Sequence, residues 1–414
     1  MKNDAGRIIE RTIADVMPEK AVKEQLMKTK LSGRIFVVSV GKAAWTMAKA
    51  ASKELKERIY QGLVVTKYDH IMGELPNFEM IEAGHPIPDE NSVLGAKCAI
   101  ALLKEAQAED SVLFLLSGGG SALFELPEEG ITLDEIQAVT SQLLLCGAGI
   151  QEINVIRKKL SRVKGGKLAA YAGEAKAYSV ILSDVLGDHE DMIASGLTYP
   201  DHTSGEDALE IIRKYDIQLP EHIKDVLSNA KPCWEEKVEN HVVGSVKQLC
   251  RSAANHAEAL GYRAEILTDE MTCEAKEAGI WLSSMAKKKH DKPTAYIAGG
   301  ETVVRVKGKG LGGRNQEIAL SAAIELSGID NVVLFSLGSD GTDGPTDAAG
   351  GMVDGSTYEQ LRELGIDCRQ VLEENDAYHA LEKIGGLIKT GPTGTNVNDV
   401  AMLLCRPDVK KEIV

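Results

Sequence analysis

The chain has 414 residues, with 62 acidic against 47 basic side chains and a net charge of −15. Such a length sets two domains as the expectation, and the acidity disfavours a nucleic-acid surface. Seven scattered cysteines with no C-x-x-C pair read as free thiols in a reducing compartment, which argues against a zinc framework. The first residues, MKNDAGRIIERTIADVM, follow an amphipathic helix pattern and lack the apolar stretch of a signal peptide. No apolar run approaches the ~20 residues needed to span a bilayer. A cytoplasmic protein without a membrane partner is expected, and a homo-oligomer is compatible with the sequence.

Arg34–Val40 (RIFVVSV) is a short β-branched run typical of a buried parallel strand. It ends in Gly41-Lys42 before a helix-forming stretch, Ala43–Leu55, which puts an ammonium beside a helix N-terminus. The upstream glycine and downstream hydroxyl of a Walker A loop are missing, so a tight turn with a solvated lysine is the competing reading. Gly62–Thr66 and Phe78–Ala83 read as strands, Gly84–Asp89 as a loop and Asn91–Ala106 as a helix. Ser111–Leu116 is a further buried strand, running into Ser117-Gly118-Gly119-Gly120-Ser121. Three successive glycines with flanking hydroxyls form a nest suited to phosphate oxygens. The basic run after Glu152 contains Arg157 and Lys164, the two members marked as ligand candidates. Tyr178–Leu182 ends in Ser183-Asp184-Val185-Leu186-Gly187-Asp188, where carboxylates suit Mg²⁺ ligation or proton abstraction. Ligands in open parallel sheets sit beyond the carboxyl ends of the strands, so the three loops are expected to converge.

Lys231-Pro232-Cys233 and the charge run Glu235–Asn240 suggest a crossing between domains. Val242-Val243 then reads as the start of a second α/β unit, followed by a helix over Val246–Leu260, a strand over Arg263–Leu267 and a helix over Thr272–Lys289. Glu301–Lys307 looks like a strand, and Asn315–Leu326 like a helix behind Arg314. Val332–Leu337 is a buried strand that ends in a loop, Gly338–Asp347, with three Asp and three Gly. It lacks EF-hand spacing, so Mg²⁺ or substrate hydroxyls suit Asp340 and its neighbours better than Ca²⁺. Thr390–Asn396 is a hydroxyl and glycine loop before a last strand, Asp399–Cys405.

Gly308, Gly310 and Gly313 satisfy G-x-G-x-x-G, which raises a dinucleotide site as one possibility. The preceding TVVRVK alternates charged and apolar residues, as a half-exposed strand does, and Asp340 lies 27 positions after Gly313. Both features fit a nicotinamide fingerprint poorly. The alternative is an anion held by glycine amides and Arg314.

The segments GKAAWTMA, LSGGGSAL, INVIRKKLSRVKGGKLA, SDVLGD, SGLTYPD, GGETVVRVKGKGLGGRNQE, GSDGTDGPTDAAGG and TGPTGTNVND resemble, in order, the motif series of class II glycerate 2-kinases. The family usually has Pro where this chain has Leu197. The resemblance implies a two-domain α/β protein. A Rossmann-like parallel-sheet glycerate kinase N-terminal domain would span 1–233, and a smaller mixed-sheet MOFRL domain 234–414. It also implies ATP-dependent phosphorylation of D-glycerate to 2-phosphoglycerate, with Mg²⁺, in an interdomain cleft. Lys42 and Arg314 match the family's active-site lysine and arginine. Arg314 is expected to fork onto the glycerate carboxylate and Lys42 to neutralise the transferring phosphoryl. Asp184 is the third expected catalytic residue. Ser117, Gly118, Gly119, Gly120, Ser121 and Lys164 are expected nucleotide contacts, Arg157, Asp340 and Asn396 substrate contacts, and Asp184 with Asp188 metal ligands. An NAD(P)-dependent hydroxypyruvate reductase and a non-catalytic sugar-phosphate-binding regulator are the alternatives.

Overall fold

The computed structural model describes residues 1–188, 190–233 and 237–407. The side chains of Asp188, Glu190 and Asp191 lie outside the described residues, as does part of the 235–240 charge run. The chain divides into two compact units, Pro18–Val243 and Met1–Met17 with Gly244–Val414.

The first of these units carries α2 (Pro18–Lys28), β1 (Ile35–Val40), α3 (Ala44–Leu55), β2 (Ile59–Lys67), β3 (Phe78–Ala83), α4 (Glu90–Leu103) and β4 (Ser111–Leu116). It continues through α5 (Gly120–Leu123), α6 (Leu133–Leu145), α7 (Ile150–Lys159), α8 (Lys167–Ala170), β5 (Lys176–Leu182), α9 (Gly205–Lys214), α10 (Glu221–Asn229) and β6 (Val238–Gly244). The sheet order is β3-β2-β1-β4-β5-β6, and the pairings from β3 through β5 are parallel. Every residue of β1 and β4 is buried, because both faces of the sheet are covered. Phe36, Val38 and Val40 point into one cluster with Phe114 and Leu116. Ile35 and Val37 point into the other with Leu113 and Leu115. A third cluster joins α6, α7, α9 and α10 through Ile136, Leu143, Ile156, Ile212 and Ile223. Leu197 is fully buried in the Phe36 cluster. Val40 pairs with both Val65 and Leu116, and Leu116 with Ile181, so the loops after these strands leave from one edge.

The other unit begins with α1 (Lys2–Asp15) and resumes at α11 (Val246–Ala259), β7 (Arg263–Met271), α12 (Ala275–Ser283), β8 (Thr294–Gly300), α13 (Arg314–Glu325), β9 (Val332–Gly338) and β10 (Gly350–Asp354). The helices α14 (Thr357–Glu363), α15 (Cys368–Glu373) and α16 (Ala377–Lys383) and the strands β11 (Leu387–Ile388) and β12 (Asp399–Cys405) complete it. Its sheet is mixed, in the order β11-β10-β9-β12-β8-β7, with only β7 and β8 parallel among the paired strands described. The α1 helix is held here by polar ties. Asp15 accepts from Ser252 Oγ at 2.8 Å, Asp4 accepts from Tyr262 at 2.8 Å, and Lys2 pairs with Asp354 at 2.9 Å.

Two expectations change. The boundary falls after Val243 rather than at 233, because β6 is the edge strand of the parallel sheet, and α1 joins the C-terminal unit. Glu301–Lys307 is not a strand. Only Val303 makes a β-bridge, to Glu274, while the amides of Arg305 and Lys307 bond to the side chains of Glu274 and Asn375. No helix among the described residues is long and apolar enough to cross a membrane.

Candidate active site

The doubly wound order places a switch point between β1 and β4, where such sheets bind ligands. The β1 loop is locked to the β4 loop. Lys42 N donates to Gly118 O at 2.9 Å, and Ala43 N to Ser117 Oγ at 3.1 Å. A Cβ on Gly41, whose φ is +126°, would lie 2.3 Å from Ser117 Oγ, so only glycine allows this approach. Gly119 adopts φ +85° and opens α5. The amides of Gly118, Gly119, Gly120 and Ser121 donate to no partner among the described residues. The Asp184 carboxylate lies over this loop, for a Cβ on Gly118 would meet its Oδ2 at 1.8 Å. Lys42 Cγ and His85 Cδ2 each lie 3.1 Å from the Cβ position of Gly119. The three strand-end loops therefore do converge, and the β3 loop contributes His85.

Burial, then the charges of Lys42, Lys67 and His70, push the His85 pKa down to about 4. His85 is thus a neutral imidazole, and its ring has no hydrogen-bond partner among the described residues. A lone histidine in a loop carried no sequence signal. The only available clue was that its loop also leaves the carboxyl edge of the sheet.

Behind the loop, Ser121 Oγ and Ser195 Oγ lie 2.7 Å apart, and Ser195 donates to Asn154 at 2.9 Å. Arg157 Nη2 donates to Ser121 O at 2.5 Å. Arg157, expected to touch substrate, instead grips the backbone of the glycine loop. Lys164, expected to touch nucleotide, is fully buried; its Nζ donates to Phe124 O at 2.7 Å and lies 3.1 Å from Glu125 Oε2. Burial pulls its pKa down to about 8, with Glu125 opposing. That buried pair removes Lys164 from the nucleotide contacts. Asp188, the second expected metal ligand, has a side chain outside the described residues.

In the C-terminal unit, Arg314 opens α13, and its Nε and Nη2 both reach the buried carboxylate of Asp399, Nη2 at 3.0 Å from Oδ1. Glu301 Oε1 lies 3.6 Å from Nη2. Burial opposes the charge of Arg314, but Asp399, Glu301 and Asp343 hold its pKa above the ordinary arginine value. Burial lifts Asp399 to about 6, with Arg314 opposing. A Cβ on Gly338 would lie 3.2 Å from Asp340 Oδ1 and 3.3 Å from Asp399 Oδ1, so Asp340 joins the same corner. Asp340 Oδ1 accepts from its own loop, from Thr342 N at 2.9 Å. The Asn396 loop is zipped to the Asp340 loop by Thr393 N to Asp340 O at 3.1 Å and Val397 N to Ser339 Oγ at 2.8 Å.

The anion expected at the start of α13 is a protein group. Asp343 accepts from Asn315 N at 3.1 Å and Gln316 N at 2.9 Å. Three amides of the preceding loop are likewise committed, Gly308 N to Asn375 Oδ1 at 3.0 Å, Gly310 N to Glu374 O at 2.8 Å and Leu311 N to Asp376 Oδ1 at 2.9 Å. Cβ atoms on Gly308, Gly310 and Gly313 would strike Glu374, Asp376 and Asp343 within 2.4 Å. These glycines make room for the chain's own backbone and carboxylates, so the G-x-G-x-x-G match is a packing motif.

Residues 4–228 match the family described as a domain of unknown function, DUF4147, and residues 294–399 match the MOFRL family. A D-glycerate 2-kinase of Thermotoga maritima is 52% identical over 406 residues, 97% of each chain. The chain belongs to the glycerate 2-kinase family. A glycerate 2-kinase of Pyrococcus horikoshii is 45% identical, over 90% of this chain and 88% of that one. A family crystal structure, glycerate kinase from T. maritima, superposes with a TM-score of 0.95 at 51% identity, covering 98% of this chain and 99% of that one. The expected family, the two-domain α/β fold and its kinase class are therefore borne out. Asp399 and Asp343 fall within the resembling motifs but were legible there only as acids flanking glycine loops. Their partner, the start of α13, lies 85 and 28 residues away along the chain.

Proposed function

We propose that this chain transfers the γ-phosphoryl of ATP to the 2-hydroxyl of D-glycerate, with Mg²⁺. The observation that carries the reading is the Gly118–Ser121 loop, whose four undonated amides stand beside Lys42 and Asp184 at the switch point of a parallel sheet. Phosphoryl transfer asks a protein for positioning and for cations around the transferring group. The loop amides suit nucleotide phosphates, and Lys42 suits the charge that develops on the transferring phosphoryl. Asp184 fits Mg²⁺ in the mode where one carboxylate and the substrate phosphates share the ion. Mg²⁺ held there would supply charge neutralisation at the phosphates. Arg314 suits the glycerate carboxylate, and Asp340 and Asn396 are the groups assigned to the hydroxyls.

The hydroxypyruvate reductase alternative would need the Gly308–Gly313 loop to receive a pyrophosphate, and that loop is filled by Glu374, Asp376 and Asp343. The two readings separate in one experiment. Purified chain with ATP, Mg²⁺ and D-glycerate should give 2-phosphoglycerate that enolase consumes without added phosphoglycerate mutase. Oxidation of NADH by hydroxypyruvate, with no ADP formed from glycerate, would refute the kinase reading.

A further inference from the structure

The corner around Arg314 contains a group whose role is not explained by holding the fold together. Asp399 is the first residue of β12 and pairs in register with Gly300 of β8 and Gly338 of β9. Both strand neighbours lack side chains, and the Asp399 carboxylate is bonded by the Arg314 guanidinium. Its side chain is 3% exposed, whereas that of Arg314 is 33% exposed. The acid is hidden and the guanidinium reaches outward.

We propose that Asp399 is a positioning residue, which binds the Nε–Nη2 side of Arg314 and leaves only the Nη1–Nη2 end to meet the carboxylate of the substrate. The proposal rests on the kinase reading and narrows it. A guanidinium offers carboxylates two forks, a side fork through Nε and one Nη and an end fork through both Nη atoms. Asp399 occupies the side fork through Nε and through Nη2 at 3.0 Å. Arg314 is thereby fixed in rotation about its long axis, and the orientation of the bound acid follows from it. Glu301, 3.6 Å from Nη2 and half exposed, stands beside the same end, so an incoming carboxylate competes with an exposed group rather than a buried one.

A purely structural pair is the competing explanation. Buried ion pairs return little net stability against the cost of desolvation, so a stability role and a positioning role give separable results. The groups facing Asp399 are Arg314 on α13, Glu301 after β8, and Asp343 and Asp340 after β9. Burial lifts Asp399 to about 6, Asp343 and Glu301 push the same way, and Arg314 opposes. As pH falls through about 6, Asp399 gains a proton and can no longer accept from both guanidinium nitrogens. The hold on Arg314 then weakens on the acid side.

The test uses the full chain and compares wild type, Asp399→Asn and Arg314→Ala in steady-state kinetics from pH 5 to 8, with thermal melts alongside. Asn keeps one acceptor and nearly the same volume, which favours a folded variant. The expected result for Asp399→Asn is a KM for D-glycerate raised about tenfold or more, as for the loss of one charged hydrogen bond. The KM for ATP should stay within about twofold, and the acid-side rise in glycerate KM seen in wild type should vanish. An Asp399→Asn protein that melts earlier but keeps the wild-type glycerate KM and its pH profile overturns the proposal. So does equal weakening for ATP and glycerate. Absence of glycerate-dependent ADP formation in wild type would instead refute the kinase reading itself. An unchanged glycerate KM in Arg314→Ala, with wild type active, would overturn the positioning role alone. If Asp399→Asn does not fold, the wild-type pH profile decides: a flat glycerate KM between pH 5 and 7 overturns the proposal.

Discussion

Gly118 has the narrowest tolerance of any residue in the glycine loop. An added methyl would stand 1.8 Å from Asp184 Oδ2, so Gly118→Ala must drive the carboxylate off the loop. Turnover should fall at least ~100-fold, as for loss of one preorganised electrostatic group, while the melting temperature moves little. A Gly118→Ala enzyme with near-normal kcat would remove Asp184 from the site. His85 gives a pH prediction of definite sign. Its folded pKa, about 4, is below the ordinary value of 6.5, so its contribution is present above pH 6.5 and is lost as pH falls through 4. Urea unfolding between pH 4 and 6.5 should show a steeper loss of stability in wild type than in His85→Gln. Lys42, the SGGGS loop and Asp184 were legible because each follows a β-branched run that could only be a buried strand. Lys164 was misread for the opposite reason. Its burial depends on Phe124, 40 residues away, and nothing local distinguishes a sealed lysine from a solvated one.

At the scale of elements, the start of α13 shows how a motif can be right in shape and wrong in purpose. The glycine spacing and the helix behind it were read correctly, but Asp343 already fills the place of the anion. Asp343→Ala leaves two buried helix amides without an acceptor and takes from the Gln316 side-chain amide one of its three. The expected loss is about 2–3 kcal/mol, measured as a lower urea midpoint. An unchanged midpoint would mean that water replaces the cap at no cost. The missing strand at Glu301–Lys307 has the same cause. Alternating Val, Arg and Lys suit an edge strand, yet Asn375 and Glu274 accept the amides first. Side chains from elsewhere in the chain decided this segment, beyond the reach of a local pattern.

For the whole molecule, alternating strands and helices made two α/β units legible, and the family resemblance supplied the mixed character of the second sheet. The discontinuity was not legible. The amphipathic face of α1 announces that it packs, without naming its partner, and Ile8 and Ile9 bury against the unit that resumes at Gly244. Starting the chain at Pro18 should therefore destabilise the C-terminal unit by several kcal/mol, at about 1.5–3 kcal/mol per buried isoleucine. Hydrogen exchange should show protection lost in α11 and β9 but kept in β1 and β4. Equal loss in both units would contradict the division. The same feature orders events on the ribosome. Asp15 emerges early, but its partner Ser252 follows 237 residues later, a delay of roughly 10–50 s at ~5–20 residues per second. Throughout that interval the parallel-sheet unit can close while α1 remains an amphipathic helix without its partner. For this fold, a helix made before the whole parallel-sheet unit finds its place only after it.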